Sequence, residues 1–236
     1  MSPVSKLGTD GRILWRLLRG QPRHGSPAER LQAFYAPQAE RYDEFRSRLL
    51  HGREAMIARL DLQPGEHVVE LGCGTGSSLS RIGRRVGELA SVQMVDLCPA
   101  LLEIARQRAS GYGNVQVIEA DATLWQPAVP VDCVLMSYAL TMIPDWPKVV
   151  ANARAMLRPG GRIGIVDFHL PAEGSPLSNG LWRRWFAHDG VHLSNEHLPA
   201  LRRSFVEMHC QSARGKIPYL PGLSAPYYWF IGRRPE

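Results

Sequence analysis

The sequence predicts an α/β protein built on a doubly wound, mostly parallel seven-stranded sheet with helices on both faces. Between residues 67 and 167, five short apolar runs alternate with helical or turn-rich stretches, the pattern of βαβ units. The first run ends in a glycine-rich turn that opens a helix, as such folds do where they take a ligand. A length of 236 residues with 44% hydrophobic and 21% charged residues is enough for one such domain and excludes a disordered or collagen-like chain.

In chain order, residues 29–60 carry a helical pattern, with Phe45, Leu49, Met56 and Leu60 on one side. After Pro64-Gly65 come a strand at 67–71, a helix at 78–86 and a second strand at 91–96. A helix at 99–109 follows, then strands at 114–119, 131–137 and 162–167. Residues 205–212 and 227–231 complete the sheet as late strands. A single α/β domain is thus expected over 29–236, preceded by an extension and linker over 1–28.

That extension holds six basic residues against two acidic within residues 1–30, so most of the net charge of +6 lies there. Arg12, Arg16, Arg19 and Arg23 recur at helical steps opposite Ile13, Leu14, Leu17 and Leu18, with Trp15 among them. A basic amphipathic helix of this kind suits an anionic membrane surface at residues 11–24, and equally suits docking on the domain. The segment 181–186, Leu-Trp-Arg-Arg-Trp-Phe, offers a weaker version of the same reading. No apolar run is long enough to span a bilayer, and the basic balance alone does not argue for nucleic acid. Four scattered cysteines without a Cys-x-x-Cys pair suggest a reducing, cytoplasmic setting and no metal site.

The chemistry centres on Val69-Glu70-Leu71-Gly72-Cys73-Gly74-Thr75-Gly76. Its glycines allow a sharp turn and let a ligand lie against main-chain amides at a helix start. A dinucleotide site would want a glycine one position beyond Gly76, where Ser77 stands. Glu70 would repel a pyrophosphate and attract an amino-bearing ligand. Asp96, with Leu97 after it, ends the second strand, where the fold places the acid that takes ribose hydroxyls. Asp121, followed by Ala122, can accept from an adenine amino group, and Ser137 closes the fourth strand on the same edge. An amino-acid end, a ribose and an adenine without phosphates describe S-adenosylmethionine.

As a set, Glu70 to Gly76, Asp96, Asp121-Ala122 and Leu157-Arg-Pro-Gly-Gly161 resemble the motifs of the class I S-adenosylmethionine-dependent methyltransferases. Outside that core, Phe34-Tyr35, Tyr42-Asp43, Arg48-Leu-Leu-His-Gly-Arg-Glu54, Val95-Asp-Leu-Cys98 and Ser137-Tyr-Ala-Leu-Thr-Met-Ile-Pro144 carry a closer likeness. With Val166-Asp-Phe168, Ile217-Pro-Tyr219 and Ala225-Pro-Tyr-Tyr228 they resemble the N-methyltransferases of betaine-lipid synthesis. The resemblance implies trimethylation of diacylglyceryl-homoserine, a lipid amine, with a separate partner enzyme making the homoserine ether. Other acceptors stay open (phosphatidylethanolamine, a quinone ring, a small molecule), as does a non-catalytic cofactor-binding protein.

For an amine acceptor the nitrogen must be neutral, and aromatic faces attract the methylammonium that accumulates. Tyr138 is the first candidate for such a wall, and Tyr35 and Tyr42 are the next; each is equally readable as a packing residue. His169, past the fifth strand, is the better-placed base. His51 is a second base candidate or a helix-surface residue, and Arg53 a clamp for the acceptor's carboxylate.

Overall fold

The computed structural model describes residues 29, 32, 48–170, 191, 193–218 and 222–236. The segment 11–24, Tyr35, Tyr42 and residues 181–186 lie outside the described residues, and so do the expectations placed on them. Seven strands form one sheet: β1 (His67–Leu71), β2 (Ser91–Asp96), β3 (Val115–Glu119), β4 (Val131–Ser137), β5 (Leu157–Phe168), β6 (Val206–Lys216) and β7 (Ser224–Arg233). Their order is β3-β2-β1-β4-β5-β7-β6. β1 to β5 are parallel, and β7 runs antiparallel to both β5 and β6. The strand order reverses between β1 and β4, the position outside whose carboxyl ends such sheets take ligands.

Five α-helices are described: α1 (Arg53–Leu60), α2 (Ser77–Ile82), α3 (Pro99–Ala109), α4 (Trp146–Met156) and α5 (His197–Ser204). Side chains of α1, α2 and α3 share one apolar layer with Val68, Met94, Leu135 and Phe168. Those of α4 and α5 share the opposite layer with Val69, Leu71, Met136 and Tyr228. Alternation along each strand assigns neighbours to opposite layers, so central strands are buried on both faces and read as continuous apolar runs. Among the described residues no helix is long and apolar enough to cross a membrane.

The differences from expectation have local causes. α1 begins only at Arg53, because Gly52 before it is left-handed at φ 80°. A Cβ at Gly52 would stand 2.6 Å from the Tyr227 ring, so that approach needs glycine. The helix expected at 78–86 is split: α2 stops at Ile82, and a 3-10 turn runs from Gly83 to Glu88. β5 starts five residues early, since Leu157 already pairs with Val131 before a register shift leads to the Cys133–Arg162 pairing. α4 was not expected; Pro147 occupies its first turn, where a missing amide costs nothing, and Val149, Val150, Ala153 and Met156 form its buried face. α5 was likewise not expected.

α1 rests directly on β5 at Gly164, where an added Cβ would meet Leu60 and Met56 side chains at 2.7–2.8 Å. Gly164→Ala should therefore destabilise the fold by about 1–3 kcal/mol through overpacking. Urea unfolding should show a lower midpoint at unchanged slope; an unchanged midpoint would mean that α1 can shift at no cost.

Candidate functional site

The carboxyl ends of β1 to β4 open into one cleft. Its wall includes Glu70, Gly72, Cys73, Gly74, Asp96, Leu97, Asp121, Ala122, Ser137 and Tyr138. Every cofactor residue expected from the sequence is there except Gly76. Gly76 has φ 72°, and a Cβ on it would meet Met94 at 3.1 Å and Ala105 at 3.3 Å, so its work is to let α2 start close to α3. Gly72 is also left-handed, and its missing Cβ would lie 2.4 Å from that of Ala139. The turn thus lies against the chain that leaves β4.

The Gly74 amide donates to Oδ2 of Asp96 over 2.8 Å, and the Cys98 amide donates to Oδ1 over 2.9 Å. Burial raises the Asp96 carboxyl above its ordinary range, while these amides oppose the shift. Glu70 is buried and accepts the Ser78 hydroxyl. Burial pushes its pKa up to about 8, with the nearby Asp96 charge adding to the shift; Ser78, Arg81 and Arg53 act against it. Asp121 accepts the Thr123 amide and hydroxyl on Oδ1, at 2.8 and 2.7 Å.

Arg53 is buried in the same wall, its Nε–H donating to the Leu50 carbonyl and Nη1–H to the Ser77 hydroxyl. A buried carboxylate and a buried guanidinium at one end of the cleft match the ammonium and carboxylate of an amino acid. Arg53, expected as a clamp on the acceptor's carboxylate, is placed beside Ser77 at the start of α2. Together with Asp96 and Asp121 further along the cleft, this donor and acceptor set fits S-adenosylmethionine.

The histidines are placed differently from expectation. His51 does not line the cleft: its Nε2 is 3.0 Å from the Lys216 carbonyl, its ring stacks on Tyr227, and it occupies the space beside Gly215. His169 is buried against Tyr228 on the α4–α5 side of the sheet, because it stands one step beyond Phe168 and faces the other way. Burial lowers its pKa. Neither is positioned as a base in the cleft.

Tyr138 is in the wall, with φ 55°, a conformation that costs a non-glycine residue energy. Its hydroxyl donates to the His51 carbonyl over 2.7 Å, and its ring meets Phe168 edge-on at 4.6 Å between centroids. Ser78, Leu50, Met142 and Ile143 also line the cleft and were not foreseen. Only the position of Ser78 in the first turn after Gly76 would have singled it out. Among the described residues no group of three or more His, Cys, Asp or Glu is placed to hold a metal ion.

Comparison with known proteins agrees with this geometry. A family described as "Methyltransferase domain" matches residues 68–161. The 2-phytyl-1,4-naphtoquinone methyltransferase of Thermosynechococcus vestitus is 30% identical over 168 residues, which is 68% of this chain and 73% of that protein. The ubiquinone/menaquinone biosynthesis C-methyltransferase of Teredinibacter turnerae is 28% identical over 153 residues, 61% of each. The match thus spans less than two thirds of that second relative. Among solved structures, the N-methyltransferase NodS of Bradyrhizobium japonicum, in complex with S-adenosyl-L-homocysteine, shares the fold. Its TM-score is 0.67 at 15% identity, with 87% of this chain and 99% of that chain covered. A phosphoethanolamine N-methyltransferase of Haemonchus contortus superposes with a TM-score of 0.71 at 15% identity, over 91% of this chain and 61% of that chain.

Because the folded-state pKa of Glu70 lies above its ordinary 4.5, folding of the ligand-free chain takes up a proton between those values. The stability it lends is present at low pH and lost as pH rises through about 8. Thermal midpoints of the ligand-free protein should fall as pH rises from about 4.5 to about 8 and level off above, and Glu70→Gln, which cannot ionise, should flatten the fall. An equally steep fall in Glu70→Gln would remove Glu70 as its source.

Proposed function

Because the chain belongs to the S-adenosylmethionine-dependent methyltransferases, we propose that it methylates the amine of a lipid acceptor, diacylglyceryl-homoserine, to the trimethylated betaine lipid. Its cofactor is S-adenosylmethionine. In this reading Glu70 takes the cofactor's ammonium, Arg53 its carboxylate, Asp96 the ribose hydroxyls and Asp121 the adenine amino group. Bound there, the cofactor supplies a methyl group on a sulfonium, an electrophile that asks chiefly for in-line approach of a neutral nucleophile.

The observation that carries the amine reading is Tyr138. Tyr138 lines the cleft with its hydroxyl engaged by the His51 carbonyl and its ring packed edge-on against Phe168. This supports a reading in which the fixed ring forms part of the acceptor wall. Such a face attracts methylammonium without demanding a hydrogen bond from the nitrogen, as suits primary, secondary and tertiary amines passing through one site. Leu50, Ile57, Met142 and Ile143 add an apolar lining that suits a lipid. The likeness to the betaine-lipid enzymes on both sides of the cofactor core supports the same acceptor. A second reading, methylation of a quinone ring carbon, is favoured by the names of the relatives above. Under the first reading, a partner enzyme supplies the homoserine ether and residues 11–24 contact the membrane surface.

The purified chain, incubated with diacylglyceryl-homoserine, S-adenosylmethionine and detergent, should yield products heavier by one, two and three methyl groups. Tyr138→Ala should slow this by a few-fold to about thirty-fold, the equivalent of ~0.5–2 kcal/mol of cation–π attraction, and leave cofactor affinity nearly intact. Tyr138→Phe should retain most activity. Methylation of a demethylated menaquinol instead of the lipid amine would establish the second reading, and no methylation of either would leave cofactor binding alone.

A further inference from the structure

At the end of β5, Asp167 is a fully buried carboxylate that does not line the cleft. Its oxygens accept the Thr141 amide at 3.1 Å, the Thr141 hydroxyl at 2.6 Å and the Phe168 amide at 2.8 Å, with the Leu140 amide also directed to it. Three of these four donors belong to a single short segment, the 3-10 turn Leu140–Met142 that follows β4. Thr141 is itself buried.

The chain around that turn makes the part of the cleft wall that follows β4. Tyr138, Ala139, Met142 and Ile143 line the cleft, whereas Glu70, Asp96 and Asp121 come from the ends of β1 to β3. It also begins under strain. Tyr138 sits at φ 55°, a strained conformation for a non-glycine residue that persists only where the surroundings over-determine it. Two attachments to β5 do so: the Tyr138 amide donates to the Val166 carbonyl over 2.7 Å, and Thr141 is held by Asp167. A buried carboxylate is a costly way to fill a core position, so its donors' concentration on one turn assigns it to fixing that turn's shape.

We propose that Asp167, acting through Thr141, positions the 138–143 segment so that its Tyr138 face and Met142–Ile143 wall seat the methyl acceptor. Asp167 is thus a positioning residue on the acceptor side. The inference rests on the methyltransferase reading and is the same for a lipid amine or a quinol. Titration supports it. Burial raises the Asp167 carboxyl to about 6. The titratable groups facing it are Tyr138 from the end of β4 and Tyr228, its register partner on β7, both with pKa values raised by burial and so uncharged near neutrality. His169, two residues on, packs against Tyr228, and burial lowers its pKa. As pH falls through about 6, Asp167 takes up a proton and gives up one acceptor site facing the turn.

The test pairs Thr141→Val with Thr141→Ser and Asp167→Asn, in the full chain. With whichever of the lipid amine and the quinol the wild type methylates, Thr141→Val and Asp167→Asn should lower kcat/KM for the acceptor by about tenfold or more, the scale on which small displacements act. Cofactor affinity by calorimetry should stay within about twofold, and Thr141→Ser, which keeps the hydroxyl, should restore turnover. An acid limb near pH 6 in the wild-type profile should be absent from Asp167→Asn. Amide exchange at Thr141 and Met142 should quicken in Thr141→Val and Asp167→Asn, a readout that needs no acceptor. Unchanged exchange, or loss of cofactor affinity in step with turnover, would overturn the proposal. Absence of any wild-type turnover with exchange behaving as expected would count against the function and not against the clamp.

Discussion

The bond from the Gly74 amide to the Asp96 carboxylate brings the glycine turn after β1 onto the acid that ends β2. Much of the site follows from it. A parallel sheet directs the carboxyl ends of β1 to β4 to one edge, where the half-buried acids Asp96 and Asp121 accept amides of the loops. Gly74 can turn its amide toward Asp96 because φ 55° is open to glycine. The Gly72 and Cys73 amides are spent on the Val95 carbonyl, which leaves the turn stretched across two strands with its glycine surface toward the cleft. Asp96 and Asp121 are each partly satisfied by the backbone that follows them and keep oxygen capacity for a ligand.

A second constraint is the two-residue period of the strands. Val166 and Phe168 contribute to the layer beneath α1 to α3, and Phe168 meets Tyr138 there. His169, one position on, is sent to the layer with Tyr228 and α5. A residue's nearness in sequence to the active edge therefore says little about which face it serves. His51 is removed by a different cause, the close approach of the β6–β7 pair at Gly215 and Tyr227.

These causes also decide how much could be read in advance. The bounds of β1, β2, α3 and β4 follow from sequence alone, because central parallel strands are unbroken apolar runs and the helix after β2 has Pro99 in its first turn. The early start of β5 was hidden by Pro159 and two glycines, residues that ordinarily mark a turn. Glu70, Asp96 and Asp121 were legible because each is fixed by its own strand end. Arg53 at Ser77, and Asp167 at Thr141, join residues 24 and 26 positions apart through side chains. Such pairings carry no local signal.

The same division bears on what similarity can say about the acceptor. The matched family region runs over residues 68–161, which takes in β1 to β4, the cofactor acids and only the first part of β5. It ends before Val166, Asp167 and Phe168, the three residues that fix and pack the segment after β4. A turn whose amino acids fall inside the shared region is thus held by side chains and carbonyls outside it. If the segment after β4 seats the acceptor as proposed above, two chains can agree along the glycine turn and all three acids yet present different acceptor walls. The acids stand at strand ends, whereas that segment is held by contacts across the sheet. Identity near 30% is then informative about the donor of the methyl group and much less so about its recipient.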